Sequence, residues 1–259
     1  MVRQKVLRLG LAMLAIVVFG RATCGPPGGV QVTPVEKMSF SDHVYYHNMG
    51  IAWDGEYYYT VNGGNATYSK LNQYDESGSF ENGYNVGVDA RSILYSTAKQ
   101  QLYIKPYGTS LDEVRLDVQT ADISLENIFA GGQSSVAMSP DGEKLYELYG
   151  GRVHVYNADD GREATSFQLP SYSTEDDDGY SSAIAVADKF LFVWAPNSDR
   201  NVLVYRLYGK YVTWLTLPRS GFGFSLSWAN GLLWIADDAD GGAEGADGTW
   251  YGYEVKGLE

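Results

Sequence analysis

One unit recurs five times along this chain, and it leaves few folds open. Each copy is a small residue, a short apolar strand, a polar turn and a second, aromatic-rich strand. The first reads Gly50-Ile-Ala-Trp-Asp-Gly-Glu-Tyr-Tyr-Tyr, and the third reads Ser135-Val-Ala-Met-Ser-Pro-Asp-Gly-Glu-Lys-Leu-Tyr. The first apolar residues are Ile51, Ile93, Val136, Ile184 and Leu226, separated by 42 to 48 residues. From residue 30 onward there is no helical period. The 30 glycines and short apolar runs bounded by Gly, Asn and Asp are strand-and-turn signals. A repeat of this length built only of strands is the signature of a propeller blade.

The third copy sets the plan of a blade. Ser135–Ser139 reads as the inner strand, and Pro140-Asp141-Gly142 as a tight turn. Lys144–Leu148, Arg152–Tyr156 and Ala164–Leu169 then supply the second, third and outer strands. Inner strands crowd around an axis and need small residues where they begin. Gly50, Ser92, Ser135, Ala183 and Ser225 stand there. Two residues after each first apolar position come Trp53, Tyr95, Met138, Val186 and Trp228, suited to the faces between blades. The last copy lacks an outer strand, whereas Val30–Phe40 reads as an outer strand without a blade. The expected fold is therefore an all-β, five-bladed propeller of four-stranded antiparallel blades. Its ring is closed by the N-terminal outer strand, which removes exposed sheet edges.

The domain occupies residues 30–259. Before it, Arg3, Lys5 and Arg8 precede an apolar run from Leu9 to Phe19, too short for a comfortable span. Gly20-Arg21-Ala22 offers the small residues that a signal peptidase needs. Residues 1–23 read as a signal peptide and 24–29 as a linker, so the chain is expected to be exported to a periplasm, the outside or a bacterial envelope. Cys24 is the sole cysteine, which excludes an intrachain disulfide. Its place after the apolar run resembles the lipidation cysteine of bacterial lipoproteins, although Arg21-Ala22-Thr23 departs from the lipobox. A lipid on Cys24 is the one expected route to a membrane. Loss of residues 1–22, with four basic residues and no acid, takes the formal charge from −13 to −17. So acidic a chain is poorly suited to nucleic acid and favours cationic partners. A monomer is expected.

Ser135-Val-Ala-Met-Ser-Pro-Asp-Gly-Glu-Lys-Leu-Tyr followed by Val153-His-Val-Tyr-Asn-Ala-Asp-Asp-Gly resembles the repeats of the YVTN and WD40-like (PD40) propeller superfamily. Ile51-Ala-Trp-Asp-Gly-Glu-Tyr-Tyr-Tyr is similar to the first strand pair of the five-bladed glutaminyl cyclases, as are the size and the export signal. The superfamily motif implies a fold and no chemistry. The cyclase resemblance implies the same fold and a cyclotransferase activity, and it carries no site residues over to this sequence.

Propellers bind ligands on the face that bears the loops leading into each inner strand and those joining second to third strands. That rule selects His43, Tyr45, His47, Asp89, Arg91, Tyr180 and Phe222 as ligand-binding candidates. The aromatic ones, with Tyr46 and Phe224, either stack on a ligand or plug the channel. The four-residue spacing of His43 and His47 would suit zinc on a helix, but not in a loop-to-strand stretch. The loop Asp237–Gly248 alternates carboxylates with glycines. Asp237, Asp238 and Asp240, joined by Asp176 and Asp178, could hold Ca²⁺; a solvated glycine-rich insertion is the competing reading. No nucleophile elbow, phosphate loop or dinucleotide fingerprint is present. The leading expectation is a binding module for a protein, peptide or glycan. The alternatives are a propeller enzyme (lactonase-like, glycan-active or a glutaminyl cyclotransferase), with a deep pocket and a carboxylate of raised pKa, and a purely structural spacer.

Overall fold

The computed structural model describes residues 32, 34–43, 46–170, 172, 183–238 and 247–258. The signal peptide, Cys24, the linker, Tyr45, Asp176, Asp178, Tyr180 and Asp240 lie outside the described residues. Twenty strands and no helix make up the described part. Strand β1 (Val35–His43) stands apart at the start. Blade 1 follows as β2 (His47–Trp53), β3 (Tyr58–Gly63), β4 (Leu71–Tyr74) and β5 (Phe80–Tyr84). Blade 2 is β6 (Ala90–Ser96), β7 (Gln101–Pro106), β8 (Leu111–Arg115) and β9 (Thr120–Leu125). Blade 3 is β10 (Val136–Met138), β11 (Lys144–Tyr149), β12 (Arg152–Asn157) and β13 (Glu163–Gln168). Blade 4 is β14 (Ile184–Ala187), β15 (Phe190–Trp194), β16 (Asn201–Arg206) and β17 (Tyr211–Thr216). Blade 5 is β18 (Ser227–Ala229), β19 (Leu232–Asp237), β20 (Asp247–Glu254) and then β1.

Each blade is an antiparallel sheet in simple order, and the fifth reads β1-β20-β19-β18. The five-bladed ring and its closure by the N-terminal strand are thus as the repeat implied. Pairing runs from Val35 opposite Glu254 to His43 opposite Asp247. The closing strand begins later than the sequence suggested, because Val30 to Pro34 precede β1. Within this stretch Val32 bridges in parallel to Leu215 on the outer strand of blade 4, so the lead-in crosses the seam between blades 4 and 5.

The core is a set of five seams, each filled from two neighbouring sheets. The blade 5–blade 1 seam joins Phe40, Trp234 and Trp250 to Ile51, Tyr58 and Tyr74. The blade 4–blade 5 seam joins Phe192 and Trp194 to Leu233, Ile235 and Tyr253. Aromatic and aliphatic side chains interleave in these seams, and their burial stabilises the ring at about 25 cal/mol per Å² of apolar surface. The small residues that open the inner strands are all buried. At Gly50 the reason is explicit, since an added Cβ would stand 3.1–3.2 Å from the backbone of Ser92 and Ile93.

Two inner strands carry an extra residue near their starts. The ladder slips between Asn48 and Gly50 in β2 and between Ala90 and Ser92 in β6. The residues left over are Met49 and Arg91, at equivalent places in blades 1 and 2. A bulge re-aims the side chain it carries: Met49 lines the channel cavity described below, whereas Arg91 is buried beneath the loop face.

Candidate functional site

The loops leading into the inner strands and those joining second to third strands share one face. His47 begins β2 there, half-buried. Its Nδ1 hydrogen-bonds Oδ2 of Asp238, which follows β19. Its ring lies on Phe222 with centroids 4.8 Å apart and planes 12° apart. Phe222 leans on Phe224 at 5.6 Å, and Phe224 lies 5.9 Å below the guanidinium of Arg91. Blades 5, 1 and 2 therefore meet through one aromatic and charged row.

Arg91 is held on all sides. Its Nε donates to Oε1 of Gln133 at 2.8 Å, and its NH1 to Oδ1 of Asp89 at 2.5 Å and to the Ala90 carbonyl at 2.8 Å. Tyr107 covers it at 5.1 Å. At 5% exposure the residue lies below the surface, so its charge fixes Asp89 and Gln133. Asp89 also accepts from the Gly64 amide at 2.6 Å, tying the blade 1 loop to the blade 2 loop. The groups that reach the surface are His47, Asp89, Gln133 and Phe222. Around them stand three exposed tyrosines at the ends of second strands or in the loops that follow: Tyr68 (45%), Tyr107 (58%) and Tyr149 (41%).

Beneath this face a buried pair fixes one loop. Glu147 on β11 accepts from the amides of Ala130 and Gly131, each at 2.9 Å, from the Ser134 hydroxyl, and from Tyr156 Oη at 2.7 Å. Lys105 on β7 donates to the carbonyls of Gly131 and Gly132 at 2.9 and 2.7 Å. The loop bearing Gln133 is thus held by its N–H groups from one side and by its carbonyls from the other. Burial pushes the Lys105 ammonium down to about 7, opposed by the neighbouring Glu147 carboxylate. Burial and Glu147 together push the Tyr156 phenol up.

Of the residues named from sequence, His47, Asp89, Arg91 and Phe222 meet at this face. His43 ends β1. Two loop residues from the same stretch have other work. Asp42 and Asn48 lie in strands and are fully buried, because pairing with β20 carries β1 on to His43 and β2 begins at His47. Of the acidic set, Asp237 accepts from the Thr249 amide at 2.8 Å and from Tyr251 Oη at 2.9 Å, while Asp238 is engaged with His47. Among the described residues no three His, Cys, Asp or Glu side chains converge on a common metal position. Sequence reasoning did not find the Asp238–His47 pair, the role of Gln133 or the tyrosines. The tyrosines had a readable signal: each stands beside the same connection in successive blades.

The channel itself encloses a cavity of about 290 Å³ that runs along the inner strands. Buried Met49 and Phe224 line its end under the loop face, so Phe224 acts as the plug that the sequence left as one of two readings. The other end is bordered by the exposed turn residues Thr97, Pro140, Asp188 and Asn230.

No family model matches the chain, and no curated protein matches it in sequence. Among solved structures, the fold is similar to the glutaminyl cyclase of Myxococcus xanthus. The TM-score is 0.64 at 10% identity, covering 90% of this chain and 100% of that one. It is also similar to the tail fiber of Staphylococcus aureus phage P68, with a TM-score of 0.58 at 13% identity, covering 87% of this chain and 53% of that one. At such identities the likeness is one of fold. It matches the five-bladed resemblance carried by the first strand pair, whereas the YVTN and PD40 resemblance has no matching family model behind it.

Proposed function

We propose that this chain is an exported binding module that takes a glycan or peptide surface on its loop face. The observation that carries the reading is the row Asp238–His47–Phe222–Phe224–Arg91–Asp89, assembled from three blades, buried at its base and open at its top. A buried guanidinium with every nearby acceptor engaged is an orienting device. It leaves a rigid surface of rings, an imidazole and a carboxylate. Tyrosine and histidine offer flat apolar faces with polar edges at low entropic cost, which suits sugar rings and peptide backbones.

The test is binding of the folded chain to a glycan array and to a displayed peptide library, repeated with His47→Ala and Tyr107→Ala. Both positions are at least partly exposed, so their melting temperatures should stay within about 2 °C of wild type. The expected result is a specific set of hits that weaken by roughly 10–30-fold in each variant. Undiminished binding by both would move the site off this face.

The reading does not need calcium. Asp237 and Asp238 already have protein donors or a histidine partner. We expect the unfolding midpoint to be the same in chelator and in millimolar calcium. A saturable, calcium-selective rise would be mass action on the native state, and would return the acidic loops to the list of sites.

The enzyme alternative, a hydrolase or cyclotransferase, requires a pocket with a carboxylate held protonated. Among the described residues, Asp188 is the carboxylate lining the channel cavity. The carboxylate that burial pushes upward is Asp112, on the third strand of blade 2, which does not line it.

A further inference from the structure

The far end of the channel has a different chemistry from the loop face. The residue two places after each repeat's first apolar position lines it: Trp53, Tyr95, Met138, Val186 and Trp228. Each packs into the seam with the preceding blade. Four of them are large and remain half-buried, with part of their surface exposed. Val186 is the exception, the smallest of the five and 4% exposed, so blade 4 adds the least bulk to the cavity wall.

The rings around this space are fixed in advance. Trp228 is stacked on Phe192 at 5.5 Å and 11°, and Trp53 lies against Tyr58 at 4.4 Å. The hydroxyls of the wall are engaged between blades. Ser92 Oγ accepts from the Val136 amide at 3.1 Å, Ser227 Oγ accepts from the Ile51 amide at 3.3 Å, and Ser135 Oγ donates to the Arg91 carbonyl at 3.2 Å. What the cavity offers a ligand is therefore a mixed surface, aromatic and aliphatic faces beside polar edges. Its volume of about 290 Å³ lies at the lower end of the range for small-molecule sites, enough for one or two fused rings. The exposed carboxylate of Asp188 stands at the rim, and the chain carries a formal charge of −13. Both disfavour an anion.

We infer that the turn-side mouth of the channel is a second ligand site, separate from the loop face, for a compact planar aromatic molecule with a polar edge that is neutral or cationic. Trp53, Tyr95 and Trp228 supply the faces, Val186 supplies the room and Asp188 sets the charge preference.

Indole, tryptamine and indole-3-acetate share one ring system and differ in charge, so they serve as probes in isothermal titration calorimetry of the folded chain. The expected result is one saturable site for indole and tryptamine, with indole-3-acetate at least fivefold weaker than tryptamine. Val186→Phe should fill the space and weaken indole by at least tenfold. His47→Ala should leave it unchanged, which separates this site from the loop face. Asp188→Asn covers the case in which the larger side chain at 186 prevents folding. Its position is an exposed turn with φ of 44°, which Asn tolerates. The charge preference should then fall to within twofold. Absence of saturable heat with all three probes would overturn the proposal. So would wild-type indole binding by a folded Val186→Phe chain, or an unaltered charge preference in Asp188→Asn.

Discussion

Asp42→Ala is expected to lower the melting temperature by roughly 10 °C. Asp42 lies on the closing strand β1 and is fully buried. Its Oδ1 accepts from Tyr74 Oη at 2.5 Å and from Asn72 Nδ2 at 2.8 Å. Its Oδ2 accepts from Trp250 Nε1 at 2.9 Å and from Asn48 Nδ2 at 3.0 Å. One carboxylate thus joins the closing strand to β20 in its own blade and to β2 and β4 in the next. Truncation removes an acceptor shared by four buried donors, at a cost of about 3–5 kcal/mol. Asp42→Asn keeps one carbonyl oxygen but turns an amide toward those donors, and should fall between the two. Thermal melts of the three chains decide the matter. A loss below about 2 °C in the alanine chain would mean that the ring closes without this anchor.

The second large effect concerns pH. Burial holds the folded-state pKa of Lys105 at about 7, far below the usual value for lysine, near 10.5. Between those values the unfolded chain carries a proton at this site that the folded chain has released. The group therefore contributes stability as pH rises from about 7, and that contribution is lost as pH falls through 7. A single proton is worth at most about 1.4 kcal/mol per pH unit. From pH 7 to 9 the wild type should accordingly gain about 2 kcal/mol relative to Lys105→Met. The readout is the difference between the two denaturant midpoints across that range, which cancels titration elsewhere. A difference that stays flat would place Lys105 in a better solvated setting than its burial implies.

The fold was legible because its causes are local and repeated. Small residues open the inner strands, turns such as Pro140-Asp141-Gly142 follow them, and the spacing of 42 to 48 residues counts the blades. The closing strand was legible as a remainder: one blade lacked an outer strand and one strand lacked a blade. The face that carries His47, Asp89, Arg91 and Phe222 could be assigned because blade topology alone sends those loops to one side. What each does there could not. Arg91 looked like a contact residue, but its strand slips by one residue and buries the guanidinium between Tyr107, Asp89 and Gln133. Asp42 lies just beyond the stretch read as the closing strand, and only pairing with β20 carries it into the interior. Lys105 and Glu147 stand within strands whose alternation gives no hint of the loop they both hold. These outcomes depend on which side chains meet across blades. No single repeat encodes that.

The closing blade also sets a schedule. Strand β1 is among the first parts of the domain to be synthesised, yet its partner β20 comes some two hundred residues later, with Val35 opposite Glu254. Until then blades 1 to 4 can pair internally, while β1 waits with both edges free. So long a separation makes closure the slow and late event of folding. The same delay suits the export proposed above, in which the chain would pass through a membrane pore unfolded. The joint between β1 and β20 would then form only once the stretch ending at Glu254 had emerged on the far side.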